Sequence, residues 1–259
     1  LMSGGRVAWN VVTSLNNSEA ANFGKGSHMG HDDRYDRAEE FMKVVMGHWD
    51  SWEEGSLLLQ KNARFAKSDK VHRLDHNGTY FQSRGPLTVP RSAQGSPVIL
   101  QAGMSPRGKE FAAKWADMVF AAYSDLHSGN RQYQEFRDIV SQSGRDPDHV
   151  KVAPAVKVIV AHSESEAREK FEFEASLASP MDGLALLCEV LNVDFSKRPY
   201  DAPFTDEELK DVSWQSLRDR VIEKSGKKNP SVRDFVEYSG RGTVHEGPSF
   251  IGTPKQVAD

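Results

Sequence analysis

The chain has 259 residues, of which 38% are hydrophobic and 27% are charged, and its formal net charge at pH 7 is −4. This composition is typical of a globular protein with one large domain or two small ones. The slightly negative charge and the lack of a basic run argue against a nucleic-acid-binding protein. No apolar run approaches the length of a membrane span and no signal peptide is visible, so a cytoplasmic protein without membrane contact is expected.

The single cysteine and the two chain ends narrow the possible kinds of protein further. Because Cys188 is alone, an internal disulfide and a cysteine-based metal site are excluded, and no metal is expected. Its apolar neighbours favour a buried small hydrophobe. The chain starts at Leu1 rather than methionine, and the helix signal at Thr253-Pro254 is followed by only about one turn. We therefore expect an internal piece of a longer protein.

The first element is a β-rich, mostly apolar run over residues 6–13, which predicts a buried parallel strand. A buried amide needs hydrogen-bond partners, so Asn10 either ties down a neighbouring loop or faces a ligand. Asn10 and Thr13 lie toward the carboxyl end of this strand, where α/β proteins place their sites. The following loop, residues 14–31, is long enough to suggest a functional loop.

A helix follows, with Asp32 or Asp33 as its expected N-cap. Its apolar residues recur at three- and four-residue spacing and should pack one face on a sheet: Tyr35, Ala38, Phe41, Met42, Val45 and Trp49. Its charged residues are predicted to form a solvated face: Glu39, Glu40 and Lys43. His31 and Tyr35 are four residues apart and share a face. Capping and core packing explain this pair as well as a binding site does.

Residues 50–96 then separate this helix from the next strand. Residues 71–83 predict a β-hairpin with a type I′ turn at Asn77-Gly78. His72 and His76 share one face of the first hairpin strand but lie about 13 Å apart, too far to share a metal. We assign them no catalytic role.

The stretch 97–108 organises the chain. A short apolar run at 98–100 predicts a buried strand, Gly103 lets the chain turn, and Ser105 with Pro106 is a strong helix start. A serine hydroxyl and free backbone N–H groups at a helix N-terminus suit an anion such as phosphate. A plain βα turn with a capped helix fits the same residues, because such turns are common.

Strands and helices continue to alternate after this stretch, which indicates a parallel sheet. The strands are expected to be adjacent in the order 6–13, 97–102, 118–122 and 151–160. No Gly-x-Gly-x-x-Gly fingerprint is present, so a dinucleotide-type Rossmann site is not expected. Residues 175–249 break the alternation with polar, Pro- and Gly-bounded helices. We interpret them as a helical insertion over the open end of a barrel and a candidate lid.

Four motifs carry a family resemblance: Gly5–Ser14, His31–Asp36, Gln101–Gly108 and Ile251–Asp259. In this order they resemble the bacterial-luciferase-like flavin monooxygenases, in the branch that holds nitrilotriacetate, EDTA and dibenzothiophene-sulfone monooxygenases. The resemblance implies an α/β fold, a (β/α)8 TIM barrel that is incomplete in this chain. Residues 1–174 would supply strands four to seven, 175–249 the insertion, and 250–259 the start of a truncated terminal helix.

The resemblance also implies a two-component reaction. A separate NAD(P)H:flavin reductase would supply reduced FMN as a co-substrate, and O2 would oxidise a small organic substrate. A homo-oligomer, dimer or tetramer, is expected.

The implied binding residues fall into two groups. His31, Tyr35 and Ser105 match positions that contact FMN, with the two hydroxyls at the phosphate, while Asn10 and Thr13 match positions beside the flavin. Pro106 lacks an N–H group, so the N–H groups of the next two residues are expected to serve instead: Arg107 and Gly108. Catalytic residues are not assigned, because the acidic and histidine residues that the family carries on its first strands are absent here.

Two other hypotheses stay open. The chain is a non-catalytic barrel that binds flavin or another phosphorylated ligand, or the piece is inactive because the missing strands expose two sheet edges. Oxygen-dependent consumption of a substrate in the presence of reduced FMN separates an enzyme from a binding protein.

Overall fold

A computed structural model describes residues 2–14, 16–61, 64–123, 125–177, 179–212, 214–239 and 248–258. The strands are β1 Ala8–Asn10, β2 His76–Asn77, β3 Gln82–Ser83, β4 Val98–Gln101, β5 Met118–Ala121, β6 Lys151–Pro154, β7 Lys157–Val160 and β8 Ser249–Gly252. The helices are α1 Asn17–Asn22, α2 His31–Asp50, α3 Pro106–Trp115, α4 Leu126–Gln142, α5 Glu164–Ser176, α6 Pro180–Leu191, α7 Asp206–Lys210, α8 Gln215–Ser225, α9 Val232–Tyr238 and α10 Pro254–Ala258. Residues 240–247 of the expected insertion lie outside the described residues.

The main sheet has the strand order β1-β4-β5-β6, and β1 and β5 each pair in parallel with β4. Between the last two strands, the Lys151 N–H donates to the Asp117 carbonyl at 2.9 Å and the Ala155 N–H to the Ala121 carbonyl at 2.8 Å. As the donor moves along the chain from Lys151 to Ala155, the acceptor moves in the same direction from Asp117 to Ala121, so β5 and β6 are also parallel. The predicted α/β class and strand order are confirmed, and the described strands do not close into a barrel.

The expectation of one strand over residues 151–160 is wrong. The segment is divided into β6 and β7, and β7 pairs in parallel with β8 in a separate sheet, from Lys157↔Ser249 to Val160↔Gly252. Pro154 ends β6 and has no N–H group for a ladder, which favours a break there.

The prediction that residues 6–13 form a buried strand is wrong in its extent and its burial. Only Ala8–Asn10 is strand, and Val7 and Val12 are 48% and 64% exposed. The reason is position, since β1 is the outer strand of the described sheet and only alternate residues, such as Val11, face the helices.

The hairpin is confirmed, but its turn is not the expected two-residue type. The register His76↔Ser83 and Asn77↔Gln82 leaves residues 78–81 in the connection. The cause is Glu40, whose carboxylate accepts hydrogen bonds from the Tyr80 and Phe81 N–H groups at 3.0 and 2.7 Å.

The expectation that Glu39 and Glu40 lie on a solvated face of α2 is also wrong. The side chains of Glu39 and Glu40 are only 14% and 13% exposed. Glu39 accepts hydrogen bonds from Lys114 and the Trp115 ring N–H. Each glutamate is partly buried because it accepts hydrogen bonds from residues that lie far away along the chain.

The chain divides into two compact units, one holding residues 1–13, 29–119 and 138–151 and the other the remainder. In the first unit, α2 and α3 pack on β1 and β4 around a small core: Val11, Tyr35, Met42, Ile99 and Phe111. In the second unit, α6–α9 enclose a core of their own that includes Leu187, Leu217 and Phe235, with Cys188 half-buried against it. These helices share an interior, while their role as a lid stays a prediction.

Candidate functional site

The N-terminus of α3 is built as its sequence predicts. Ser105 has extended backbone angles, φ −65° and ψ 159°, and its Oγ accepts a hydrogen bond from the Gly108 N–H at 3.1 Å. Pro106 occupies the first helical position. The Arg107 N–H belongs to the first turn, whose N–H groups have no partner within the helix. The positive end of the helix dipole is thus fixed at the carboxyl end of β4.

The N-terminus of α2 lies close to the N-terminus of α3, although the two are far apart along the chain. The helix starts at His31 with Gly30 as its N-cap, so the expectation that Asp32 or Asp33 caps it is wrong. Both carboxylates lie in the first turn, where they favour the helix dipole. Asp32 instead contacts its neighbour, with Oδ1 2.6 Å from His31 Nδ1.

The other ring nitrogen of His31 reaches across to α3. His31 Nε2 lies 3.2 Å from Ser105 Oγ, although the two residues are 74 positions apart. The His31 and Tyr35 rings are 5.1 Å apart between centroids. We call His31, Tyr35 and Ser105 the hydroxyl–imidazole cluster. The structure therefore brings together five of the seven residues that the resemblance implied, because Arg107 and Gly108 lie in the first turn of α3 next to this cluster.

Tyr35 is 5% exposed and is held from several sides. Its ring meets the Phe111 ring at 5.7 Å in an edge-on arrangement, and the Arg107 guanidinium lies 5.9 Å from its centre. Its hydroxyl lies beside two glycines, since a Cβ atom added at Gly103 or Gly108 would stand 2.5 or 2.8 Å from it. Any larger residue at either position would displace the tyrosine or the backbone, which explains the two glycines.

Sequence reasoning missed Gln101 as a site residue. This amide is 3% exposed at the end of β4, and its Oε1 accepts a hydrogen bond from the Gly103 N–H. It braces the turn between β4 and α3. The available signal was a polar residue that ends an apolar strand two positions before a glycine.

The Arg107 side chain is committed to neighbouring carboxylates. Its guanidinium donates to Asp36 at 2.9 Å and lies within 4 Å of Glu39 and Glu110. Burial lowers the pKa of Arg107, but the hydrogen bond to Asp36 and the charges of the three carboxylates outweigh it and raise the pKa. The residue therefore offers a ligand its backbone N–H rather than its charge.

Asn10 and Thr13 occupy a different position. Trp9 packs edge-on against Phe41 and Trp49 of α2, and because strand side chains alternate, Asn10 points to the opposite face of the sheet, where it is exposed. Thr13 is half-buried beyond the end of β1. In the part of the chain that the structure describes, neither residue hydrogen-bonds to the hydroxyl–imidazole cluster.

The arrangement is suited to an anion the size of a phosphate. Two hydroxyls, an imidazole and the first turn of α3 lie around Gly103 and Gly108, whose lack of side chains lets the Tyr35 hydroxyl approach this turn. Within the described ranges, no group of three His, Cys, Asp or Glu side chains could hold a metal ion. None of the helices in those ranges is long and apolar enough to cross a membrane.

A parallel α/β sheet with a capped helix start at the carboxyl ends of its strands is the arrangement that many α/β proteins use for phosphate-bearing ligands. The sequence model of the luciferase-like monooxygenase family matches residues 1–259, and the chain belongs to that family. It is 42% identical over its full length to the dibenzothiophene-sulfone monooxygenase of Rhodococcus erythropolis and to nitrilotriacetate monooxygenase component A of Aminobacter aminovorans. The chain spans 57% of each of these relatives.

Solved structures agree with this assignment. The long-chain alkane monooxygenase LadA matches the whole chain with a TM-score of 0.79 and 33% identity, and the chain covers 55% of it. A riboflavin lyase, RcaE, whose structure holds a modified FMN and riboflavin, matches with a TM-score of 0.85 and 32% identity, and the chain covers 56% of it. The luciferase-like fold inferred from the four motifs is confirmed.

Proposed function

We propose that this protein is the oxygenase component of a two-component flavin system. It binds reduced FMN supplied by an NAD(P)H:flavin reductase and uses O2 to oxidise a small organic substrate. The observation that carries the proposal is the hydroxyl–imidazole cluster at the start of α3, in a chain of the luciferase-like monooxygenase family.

The residues present fit the phosphate end of FMN. The Tyr35 hydroxyl, the Ser105 hydroxyl and the Arg107 N–H would donate to the phosphate oxygens, and the two glycines let the Tyr35 hydroxyl approach the start of α3. The Gly108 N–H acts through Ser105, whose oxygen it holds in place. Asn10 and Thr13 would lie beside the flavin ring. When bound, the flavin supplies the oxygen chemistry, and the chain contributes binding and orientation.

The relatives support the proposed reaction class and a protein partner. Their names describe monooxygenases acting on dibenzothiophene sulfone and nitrilotriacetate, and the second is designated component A. Another relative, 38% identical, is one of the subunits of pristinamycin IIA synthase from Streptomyces pristinaespiralis. A multi-component organisation of this kind fits a separate reductase. We extend the proposal to a cytoplasmic homo-oligomer.

The test uses the intact protein with an NAD(P)H:flavin reductase and FMN. Dibenzothiophene sulfone and nitrilotriacetate are the first substrates to try, with loss of substrate measured under air and under nitrogen. Substrate loss that requires both O2 and the reductase supports an oxygenase. Tight flavin binding without oxygen-dependent loss of any substrate in a broad panel favours the non-catalytic binding protein instead. Failure to bind FMN at all refutes both.

A further inference from the structure

The hydrogen bonds around His31 set the direction of the Ser105 hydroxyl. A carboxylate only accepts hydrogen bonds, so at 2.6 Å from Asp32 Oδ1 the His31 Nδ1 carries a proton. In the neutral imidazole, Nε2 is then an acceptor, and the group 3.2 Å from it is the Ser105 hydroxyl. Since the Gly108 N–H already donates to the same oxygen, the Ser105 proton is the one that lies toward His31.

This arrangement is unfavourable for an anion. The Ser105 proton is turned toward the imidazole, and the lone pair of Nε2 is not a donor. One added proton on Nε2 reverses the pattern, because Nε2–H then donates to Ser105 Oγ and the serine hydroxyl is free to donate outward. The same proton places a positive charge beside the anion. His31 is 15% exposed in its side chain, so solvent screens this charge only in part.

We propose that the phosphate of FMN binds to this site together with one proton, which is taken up by His31, and that Asp32 is a positioning residue that fixes the imidazole for this role. The proposal rests on the proposed function, because it concerns the same site. The groups that face the imidazole are Asp32 and Tyr35 on α2 and Ser105 before α3. Arg107, the first cationic residue of α3, is already paired with Asp36.

The first experiment measures protons directly. FMN is titrated into the intact protein by calorimetry at pH 8 in buffers of different ionisation enthalpy, with riboflavin as the ligand that lacks a phosphate. We expect net proton uptake for FMN and none for riboflavin, and an FMN affinity that falls as the pH rises. Tight FMN binding without proton uptake overturns this inference and leaves the proposed function standing. A folded protein that does not bind FMN overturns the proposed function itself.

The phosphate is itself able to take up a proton. The His31→Gln variant therefore tests whether the proton that is taken up on binding lies on His31. We expect this variant to bind FMN more weakly and without proton uptake, and its unfolding midpoint checks that it is folded. Uptake that persists in His31→Gln places the proton on the ligand and overturns the inference.

Asp32→Asn and Asp33→Asn form a matched pair. Both remove one negative charge from the first turn of α2, but only Asp32 contacts His31. Charge alone predicts that either change strengthens anion binding. We expect Asp32→Asn to weaken FMN binding three- to tenfold with riboflavin unaffected, while Asp33→Asn leaves it equal or slightly tighter. Equal behaviour of the two variants overturns the positioning role of Asp32.

Discussion

Replacing Ser105 by alanine removes a single oxygen that has two separate roles. As N-cap it accepts the Gly108 N–H at 3.1 Å, and loss of such a cap lowers the free energy of unfolding by about 0.5–2 kcal/mol. As a proposed donor to the phosphate it makes a charge-assisted hydrogen bond of about 1.5–3 kcal/mol. The second role predicts that Ser105→Ala weakens FMN binding by about 10- to 100-fold.

Ser163→Ala is the matched control for the capping role. Ser163 is the N-cap of α5, and its Oγ accepts the Glu166 N–H at 3.2 Å, a bond of the same kind. Both variants should lose similar stability in urea titrations, while only Ser105→Ala loses affinity for FMN.

The assay is a titration of each protein with FMN and with riboflavin, followed by flavin fluorescence. Riboflavin has no phosphate, so it should bind almost equally to Ser105→Ala and to the parent protein. The reasoning is refuted if Ser105→Ala weakens riboflavin as much as FMN, or if Ser163→Ala weakens FMN to the same extent.

The remaining predictions concern packing and pH. Gly108→Ala should lower stability by about 1–3 kcal/mol and weaken FMN binding, because its Cβ would stand 2.9 Å from the Gly103 backbone, whereas Gly26→Ala, with open space around it, should be neutral in urea titrations. Phe235→Ala, at 0% exposure in the core of α6–α9, should cost about 3–5 kcal/mol in the same measurement. Burial raises the pKa of Glu40, but hydrogen bonds from Tyr80, His76 and Phe81 outweigh it and lower the pKa. The contribution of Glu40 to stability is therefore present above the ordinary carboxyl range and is lost as the pH falls through the lowered pKa. Glu40→Gln should flatten the dependence of the thermal midpoint on pH in this acid range. An acid profile that is unchanged in Glu40→Gln contradicts this prediction.

Local signals in the sequence were sufficient for several of the helix starts, although not for that of α2. Ser105-Pro106 predicted the start of α3, and Thr205 and Ser231 begin α7 and α9 with reciprocal capping bonds. These bonds join residues three positions apart, so a short window of sequence contains both partners. The parallel strand order was predictable for a similar reason, because alternation of strands and helices permits few topologies.

Long-range partners account for the errors. The hairpin turn depends on Glu40, about forty residues before it, and nothing in the turn sequence indicates a carboxylate that binds its N–H groups. The start of α2 is an exception, because Asp32 contacts its own neighbour His31 and the helix begins earlier than expected, with Gly30 as its N-cap. The exposure of β1 depends on which strands flank it in the sheet, which the pattern within residues 6–13 does not contain.

The site itself is a consequence of sheet register. β1 and β4 pair in parallel with Asn10 opposite Leu100, so the helices that follow these strands, α2 and α3, begin at the same end. The Tyr35–Phe111 contact then joins the two helices directly. A ligand that bridges the starts of α2 and α3 binds only when this register is formed, so it stabilises the first unit by mass action, by about 2.7 kcal/mol at 100 times its dissociation constant. The proposed phosphate recognition would therefore be thermodynamically coupled to the folding of α2 and α3 onto the sheet, and FMN should slow hydrogen exchange in those two helices more than riboflavin does.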